Sequence, residues 1–253
     1  MIHRTAIVDC DVPESAVIGP YAVVGPEVVI GENVRIDAHA VVTGSTTLSE
    51  QVHIGPGAVI GTAPQDLKFA GEKTTLEVGA RTVIREMANI NCGTGVNGKT
   101  VVGSDCFVMA YCHIAHDCVV GDGVILANAV NIAGHAEVGK RAIIGGLVPV
   151  HQFARIGEYC MIGGGYRVSK DVTPFTLAGG EPLRAVGINK IGLRRNGFSS
   201  QEIAQAVDSF HFFFKKSGTM AEKIAEAIET SEEGSIMARV AEFISQSQRG
   251  VTI

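Results

Sequence analysis

The sequence predicts a β-solenoid of hexapeptide repeats, a triangular coil of parallel strands, followed by a small C-terminal α-helical domain. Three observations predict it. Aliphatic residues recur every six positions, from Val12, Ile18, Val24 and Ile30 to Ile60, and then without a gap from Val102 to Val168. Glycine follows many of these rungs, as at Gly19, Gly79, Gly121 and Gly145. After Pro174 the six-residue period gives way to helical spacing.

A period of six fits neither an amphipathic helix nor sustained strand alternation. It fits a repeat architecture in which each unit buries its apolar face on its neighbours. If each rung points inward and the chain turns a corner between rungs, three units close one coil of eighteen residues. Stacked coils then pair as parallel strands about 4.8 Å apart. Glycine after a rung is read as a corner residue, bending the backbone without a Cβ penalty. Repeats of this kind resemble the left-handed parallel β-helix, an exception to the right-handed crossover rule; the handedness comes from that resemblance.

The coil is expected over residues 1–174, with inserted loops near 63–75 and 93–100 where the ladder is interrupted. Insertions in a solenoid are extruded on one face, as a binding element or as decoration. Residues 175–253 read as a connecting segment and a helical domain. Ser199 with Glu202 forms a capping-box pattern ahead of Ile203, Ala206, Val207, Phe210, Phe213 and Phe214, and Gly218 ends that helix. Thr219 with Glu222 starts a second helix, and a third carries Ile236, Met237, Val240, Phe243 and Ile244. The phenylalanine stripe reads as core that also covers the open end of the coil, where strand edges would otherwise be exposed.

The chain of 253 residues is 46% hydrophobic but only 6% aromatic, with no Trp, which suits a core of small branched aliphatics. A net charge of −5 argues against a nucleic-acid partner, because phosphate neutralisation needs a basic excess. No apolar run approaches the roughly 20 residues that span a bilayer, so a positive mean hydropathy of +0.25 reflects a buried core. Six cysteines lack CxxC pairing or a signal peptide ahead of them, so reduced thiols and a cytoplasmic location are expected.

Residues eighteen apart should stack. The stretch Tyr111-Cys112-His113-Ile114-Ala115-His116-Asp117-Cys118 then separates into an inward Ile114 and corner residues His116 and Asp117. Above His116 stand Gly134 and Gln152, and above Asp117 stands His135. A second column, Ala110, Asn128, Gly146 and Gly164, is poor in side chains; it is either a groove for an extended apolar chain or a run of corner glycines. Three readings of the histidines compete. His116 is a general base oriented by Asp117, with an ordinary pKa near working pH. Or His113, His116, His135 and His151 hold zinc, as in γ-class carbonic anhydrases, whose histidine spacing they do not reproduce. Or the histidines are structural, in an inert binding solenoid.

The motifs are more specific than the period. His113-Ile114-Ala115-His116-Asp117-Cys118, Leu126-Ala127-Asn128, Ala133-Gly134-His135 and Val150-His151-Gln152-Phe153 closely resemble the UDP-N-acetylglucosamine O-acyltransferase family, which starts lipid A biosynthesis. Pro64 to Glu72 and Gly187-Ile188-Asn189 through Gly192 to Ser199 extend the resemblance over essentially the whole chain. It implies transfer of a (R)-3-hydroxyacyl group from acyl carrier protein to the glucosamine 3-position of a UDP-sugar. His116 would be the base, Asp117 its orienting partner and the Gly134 N–H the oxyanion donor. His113, His135, His151 and Gln152 would line the sugar and diphosphate site. Gln65, Asp66 and Lys68 match the substrate loop, and Asn189 and Arg195 the nucleotide end. Lys190, Arg194, Arg195, Lys215 and Lys216 could meet an acidic carrier protein.

The resemblance also implies a homotrimer with sites between neighbouring prisms, and no metal or redox cofactor, since thioester acyl transfer needs base, oxyanion donor and positioning. Some members act on a 3-amino analogue of the sugar, and no residue here separates oxygen from nitrogen. Where relatives often read IHRGT this chain has Ile90-Asn91-Cys92-Gly93-Thr94, and Asn196 replaces a second arginine.

Overall fold

The computed structural model describes residues 1–95 and 98–253. Val96 and Asn97, within the second insertion, lie outside the described residues. Among those described, successive short strands visit three sheets in rotation, so the chain coils. The first sheet holds eight strands from Ile7–Val8 to Pro149–Val150, the second seven from Val29–Ile30 to Arg155–Ile156, and the third ten, starting at Val17–Ile18. All pairs within the coil are parallel; Thr176–Gly179 extends the third sheet and Arg184–Ile188 closes it antiparallel.

Register follows the repeat. His113 pairs with Asn131 and Asn131 with Pro149, each eighteen residues on. The two insertions lengthen the step without shifting the face: Ile60 pairs with Ile90, and Ile90 with Ile114. Each six-residue unit buries two positions. The rung itself is sealed, as at Ile18, Ile54, Ile84 and Ile114, and so is the residue two places before it, filled by Ala16, Ala22, Val34, Cys106, Cys112, Cys118 or Cys160. Branched aliphatics suit the pleated rung and small residues fit the tapering corner. Cys106, Cys112, Cys118 and Cys160 are thus core residues; Cys92 is also buried, Cys10 is half-buried, and all six are unpaired.

The corners correct the reading of the glycines. The left-handed backbone falls on the third residue after a rung, and non-glycine residues fill most such positions, including Tyr21 (φ 58°), Asp117 (φ 58°), His135 (φ 62°) and Phe153 (φ 61°). The glycine directly after the rung serves a different need. A Cβ at Gly145 would stand 2.4 Å from the Gly164 nitrogen, and one at Gly79 2.5 Å from the Gly103 carbonyl carbon. Close stacking of coils, not bending, excludes the side chain there.

Four helices follow: α1 (Lys190–Arg195), α2 (Ser200–Phe214), α3 (Met220–Thr230) and α4 (Ile236–Ser245). Ser199 and Thr219 make the expected capping boxes, and Ser235 caps α4. The short α1, capped by Asn189, is absent from the sequence reading. Phe210 and Phe213 are buried; Phe213 packs in a second core with Phe175, Leu193, Val240 and Ile244. The covering of the coil's end differs from expectation. The antiparallel strand Arg184–Ile188 takes the last sheet edge, and α2 packs on that strand. No described helix is long and apolar enough to cross a membrane.

Candidate active site

The first sheet leads into the corner that carries the candidate chemistry. After the strand His113–Ile114, the chain turns at His116 and Asp117, and the φ of 58° at Asp117 folds its carboxylate back beside the imidazole. His116 Nδ1 lies 2.8 Å from Asp117 Oδ2, an N–H donor on a carboxylate. Both side chains are buried, with the carboxylate fully sealed and the imidazole 8% exposed. One ring nitrogen is therefore engaged, and Nε2 is left as the acceptor.

Gly134 stands directly over that imidazole. A Cβ on it would come within 2.5 Å of His116 Cε1 and 2.6 Å of Nε2, so only a bare backbone fits. Among the described residues the Gly134 N–H donates to no backbone carbonyl, while neighbouring His135 donates to the His116 carbonyl at 3.0 Å. A free acceptor nitrogen and a free amide donor on adjacent coils can serve a proton transfer next to an oxyanion.

His135 crosses the His116 ring edge-on, with centroids 5.0 Å apart, and stacks flat on Phe153 at 4.6 Å. Its Nε2 is 3.7 Å from Asp117 Oδ2. His113 sits one strand before the corner, its Nδ1 2.9 Å from Asn89 Oδ1, and burial pushes its pKa below the ordinary value. His151 and Gln152 are exposed on the coil above, with His151 Nδ1 3.1 Å from the Gln152 carbonyl.

A cleft of about 780 Å³ opens beside this corner, lined by Asp66, Lys68, Thr94, His135, Phe153 and Arg155 among others. The first inserted loop thus delivers Asp66 and Lys68 to the same cleft as His135, and an Asp66 Oδ1 contact from the Lys68 N–H at 2.9 Å shapes its tip. Gln65 is exposed on that loop and does not line the cleft. Gly146 and Gly164 stack in the column read from sequence: a Cβ at Gly164 would meet the Gly146 carbonyl oxygen at 3.2 Å, and one at Gly146 the Asn128 oxygen at 3.1 Å.

Donor atoms of His116, Asp117 and His135 lie within 4.8 Å of one another, a set that could hold a metal ion. The carboxylate, however, already accepts from His116 and twice from Thr94. Among the described residues His113 and His151 do not join the group. This is the hydrogen-bonding pattern of an oriented imidazole.

Comparison with known proteins gives the site its context. The family model described as Udp N-acetylglucosamine O-acyltransferase, domain 2, matches residues 171–252, and the bacterial transferase hexapeptide model matches 9–44 and 99–134. An acyl-(acyl-carrier-protein)-UDP-N-acetylglucosamine O-acyltransferase of Thermodesulfovibrio yellowstonii is 39% identical over 253 residues, covering 99% of this chain and 98% of that protein. One of Chlorobaculum tepidum is 53% identical over 230 residues, covering 90% of this chain and 87% of its own. The chain belongs to the UDP-N-acetylglucosamine O-acyltransferase family. Solved UDP-N-acetylglucosamine acyltransferases superpose over the full chain, with a TM-score of 0.94 and 36% identity for Campylobacter jejuni, and 0.96 and 33% for Francisella novicida; 99% and 94% of those chains are covered.

In this member of the UDP-N-acetylglucosamine O-acyltransferase family, the two residues matched to the nucleotide end stand apart from the cleft. Asn189 is buried, accepting from the Gly192 N–H and donating to the Tyr159 carbonyl, while Arg195 is exposed in the last turn of α1. Three neighbours of the histidine corner escaped sequence reasoning: Asn89 on His113, Phe153 on His135, and Thr94 on Asp117. Asn89 and Phe153 were within reach, since they pair or stack with residues already singled out. Thr94 lies in the interrupted segment, where coil arithmetic gives no partner.

Proposed function

We propose that this acyltransferase moves a (R)-3-hydroxyacyl group from acyl carrier protein to the glucosamine 3-hydroxyl of UDP-N-acetylglucosamine, the first step of lipid A biosynthesis, with His116 as general base. The observation that carries the mechanism is the His116–Asp117 pair beneath a bare Gly134. His116 Nε2 takes the proton of the 3-hydroxyl as its oxygen attacks the thioester carbonyl. The tetrahedral oxyanion is met by the Gly134 N–H; collapse expels the carrier thiolate, which receives the proton from the imidazolium. Asp117 keeps the ring in one tautomer and steadies its charged form. Asp66, Lys68 and His135 line the cleft that receives the sugar nucleotide, with His113, His151 and Gln152 on the coils around the same corner; Gln65, Asn189 and Arg195, assigned to the substrate by resemblance, lie outside that lining. The acyl chain runs along Gly146 and Gly164. The relatives' common name, an O-acyltransferase, favours the hydroxyl over the 3-amino acceptor.

The coil is a left-handed parallel β-helix, as the hexapeptide match and the superposed acyltransferases support. A cytoplasmic homotrimer completes the reading. Its support is the outward column of half-buried Val83, Phe107, Ile125, Ile143 and Met161 on the third sheet, an apolar flank suited to a neighbouring prism. The test is acyl transfer by His116→Ala with UDP-N-acetylglucosamine and 3-hydroxyacyl carrier protein. A folded variant is expected to lose 10²-fold or more; turnover near that of the parent removes His116 as base.

A further inference from the structure

The second insertion leaves the coil at the corner directly below Asp117 and returns around it. Thr94, near its start, donates its N–H to Asp117 Oδ1 at 2.9 Å and its hydroxyl to Oδ2 at 2.7 Å. Thr100, after its end, accepts the Asp117 N–H on its own hydroxyl at 2.9 Å. The neck is closed by the Gly98 N–H on the Thr94 carbonyl at 2.5 Å and the Thr75 N–H on the Gly98 carbonyl at 2.7 Å. Gly93 permits this neck, because a Cβ there would stand 2.1 Å from the Lys99 nitrogen.

Asp117 is a sealed carboxylate, and among the described residues no Lys or Arg pairs with it; a buried anion is tolerated only when donors surround it. Thr94 provides two of those donors, and His116 the third. The geometry is selective. With Oδ1 fixed by the Thr94 amide and Oδ2 shared between the Thr94 hydroxyl and His116, the carboxylate cannot rotate without breaking all three bonds. Thr94 also lines the cleft with Asp66 and Lys68, and Gly95 lies against Glu72, so the two insertions meet at this point.

We propose that Thr94 is a positioning residue for acyl transfer, clamping the Asp117 carboxylate in the one orientation that holds His116 with Nε2 beside Gly134. The insertion is therefore part of the proton-transfer machinery and not decoration. This rests on the reading of His116 as base, and the experiment separates the two.

Thr94→Val, Thr94→Ala, Thr94→Ser, Asp117→Asn, the Thr94→Val/Asp117→Asn double variant and His116→Ala are compared by kcat and KM for UDP-N-acetylglucosamine, with thermal melting of each. The expected result is a kcat lowered about tenfold to a hundredfold in Thr94→Val, from loss of a charge-assisted bond, with KM within threefold. Serine, which keeps the hydroxyl, restores kcat to within about threefold. The double variant should be no slower than Asp117→Asn alone, because Thr94 acts through that carboxylate. If His116→Ala is inactive while folded Thr94→Val and Thr94→Ala keep the parent kcat, the Thr94 proposal falls alone. If His116→Ala itself turns over normally, the base reading falls. Unfolding of both valine and alanine variants with a folded serine variant also overturns the proposal, since the hydroxyl would then serve stability.

Discussion

Gly134→Ala tests the proposed catalytic corner with the smallest perturbation available. The glycine is not in the left-handed region, so alanine meets no backbone strain, and the amide donor survives the change. The whole effect falls on the imidazole. The added methyl would stand 2.5 Å from His116 Cε1 and 2.6 Å from Nε2, against an ordinary carbon contact of roughly 3.5–4.0 Å. The ring must retreat by about 1 Å, yet its other nitrogen is tied to a sealed carboxylate at 2.8 Å. Either that hydrogen bond breaks or the coils part. A misplacement of about 1 Å costs on the order of 10²-fold in rate, and overpacking costs about 1–3 kcal/mol of stability. Steady-state acyl transfer, with a thermal melt to confirm the fold, should therefore show kcat reduced about a hundredfold and a modest fall in melting temperature. A folded variant with kcat within threefold of the parent would refute the placement of His116 Nε2 as the reacting nitrogen.

Three further outcomes are expected. Gly164→Met should shorten the acyl chain preferred among 3-hydroxyacyl carrier proteins of graded length, because the side chain would enter the bare column at Gly146; an unchanged preference removes that groove as the ruler. Burial pushes the thiols of Cys112, Cys118 and Cys160 up to about 11, about 12 and about 12, so alkylation of the native protein at pH 8 should mark Cys10 first by mass spectrometry, the buried three reacting only after denaturation. His113 has a folded pKa below its ordinary 6.5, chiefly from burial; unfolding then takes up a proton, so its contribution is intact above pH 6.5 and declines as pH falls through the folded value. The urea midpoint of His113→Gln should consequently lose less between pH 7.5 and pH 5 than that of the parent.

The period of six was legible because every coil repeats the same demand: an inward branched aliphatic on a strand too short to mark itself in any other way. What the period concealed follows from the same geometry. The second inward position accepts Ala, Val or Cys with equal ease, so it left no pattern, and four cysteines read as isolated thiols prove to be corner packing. Several left-handed positions are held by Tyr21, Leu147, Phe153 and Tyr159 because stacking from coil to coil fixes their backbone, and such residues are not local turn formers. A helix of six residues containing Gly192 falls below the length at which helical spacing can be seen.

The histidine corner divides along the same line. His116, Gly134 and Gln152 could be aligned by counting eighteen, since no insertion intervenes between their coils. Thr94 could not, because between Ile90 and Ile114 the step is lengthened by the loop that contains it. Yet the point of departure was calculable. Ile60, Ile90 and Ile114 are consecutive rungs of one sheet, and both insertions begin two or three residues after their rung, at the level where His116 and Asp117 follow theirs. Counting from rung to interruption therefore places both loops at the histidine corner, on the coils below it, before any coordinate is known. A solenoid's repeat predicts where an insertion emerges, and the contacts of its neck, here the two bonds from Thr94 to Asp117, need the folded chain.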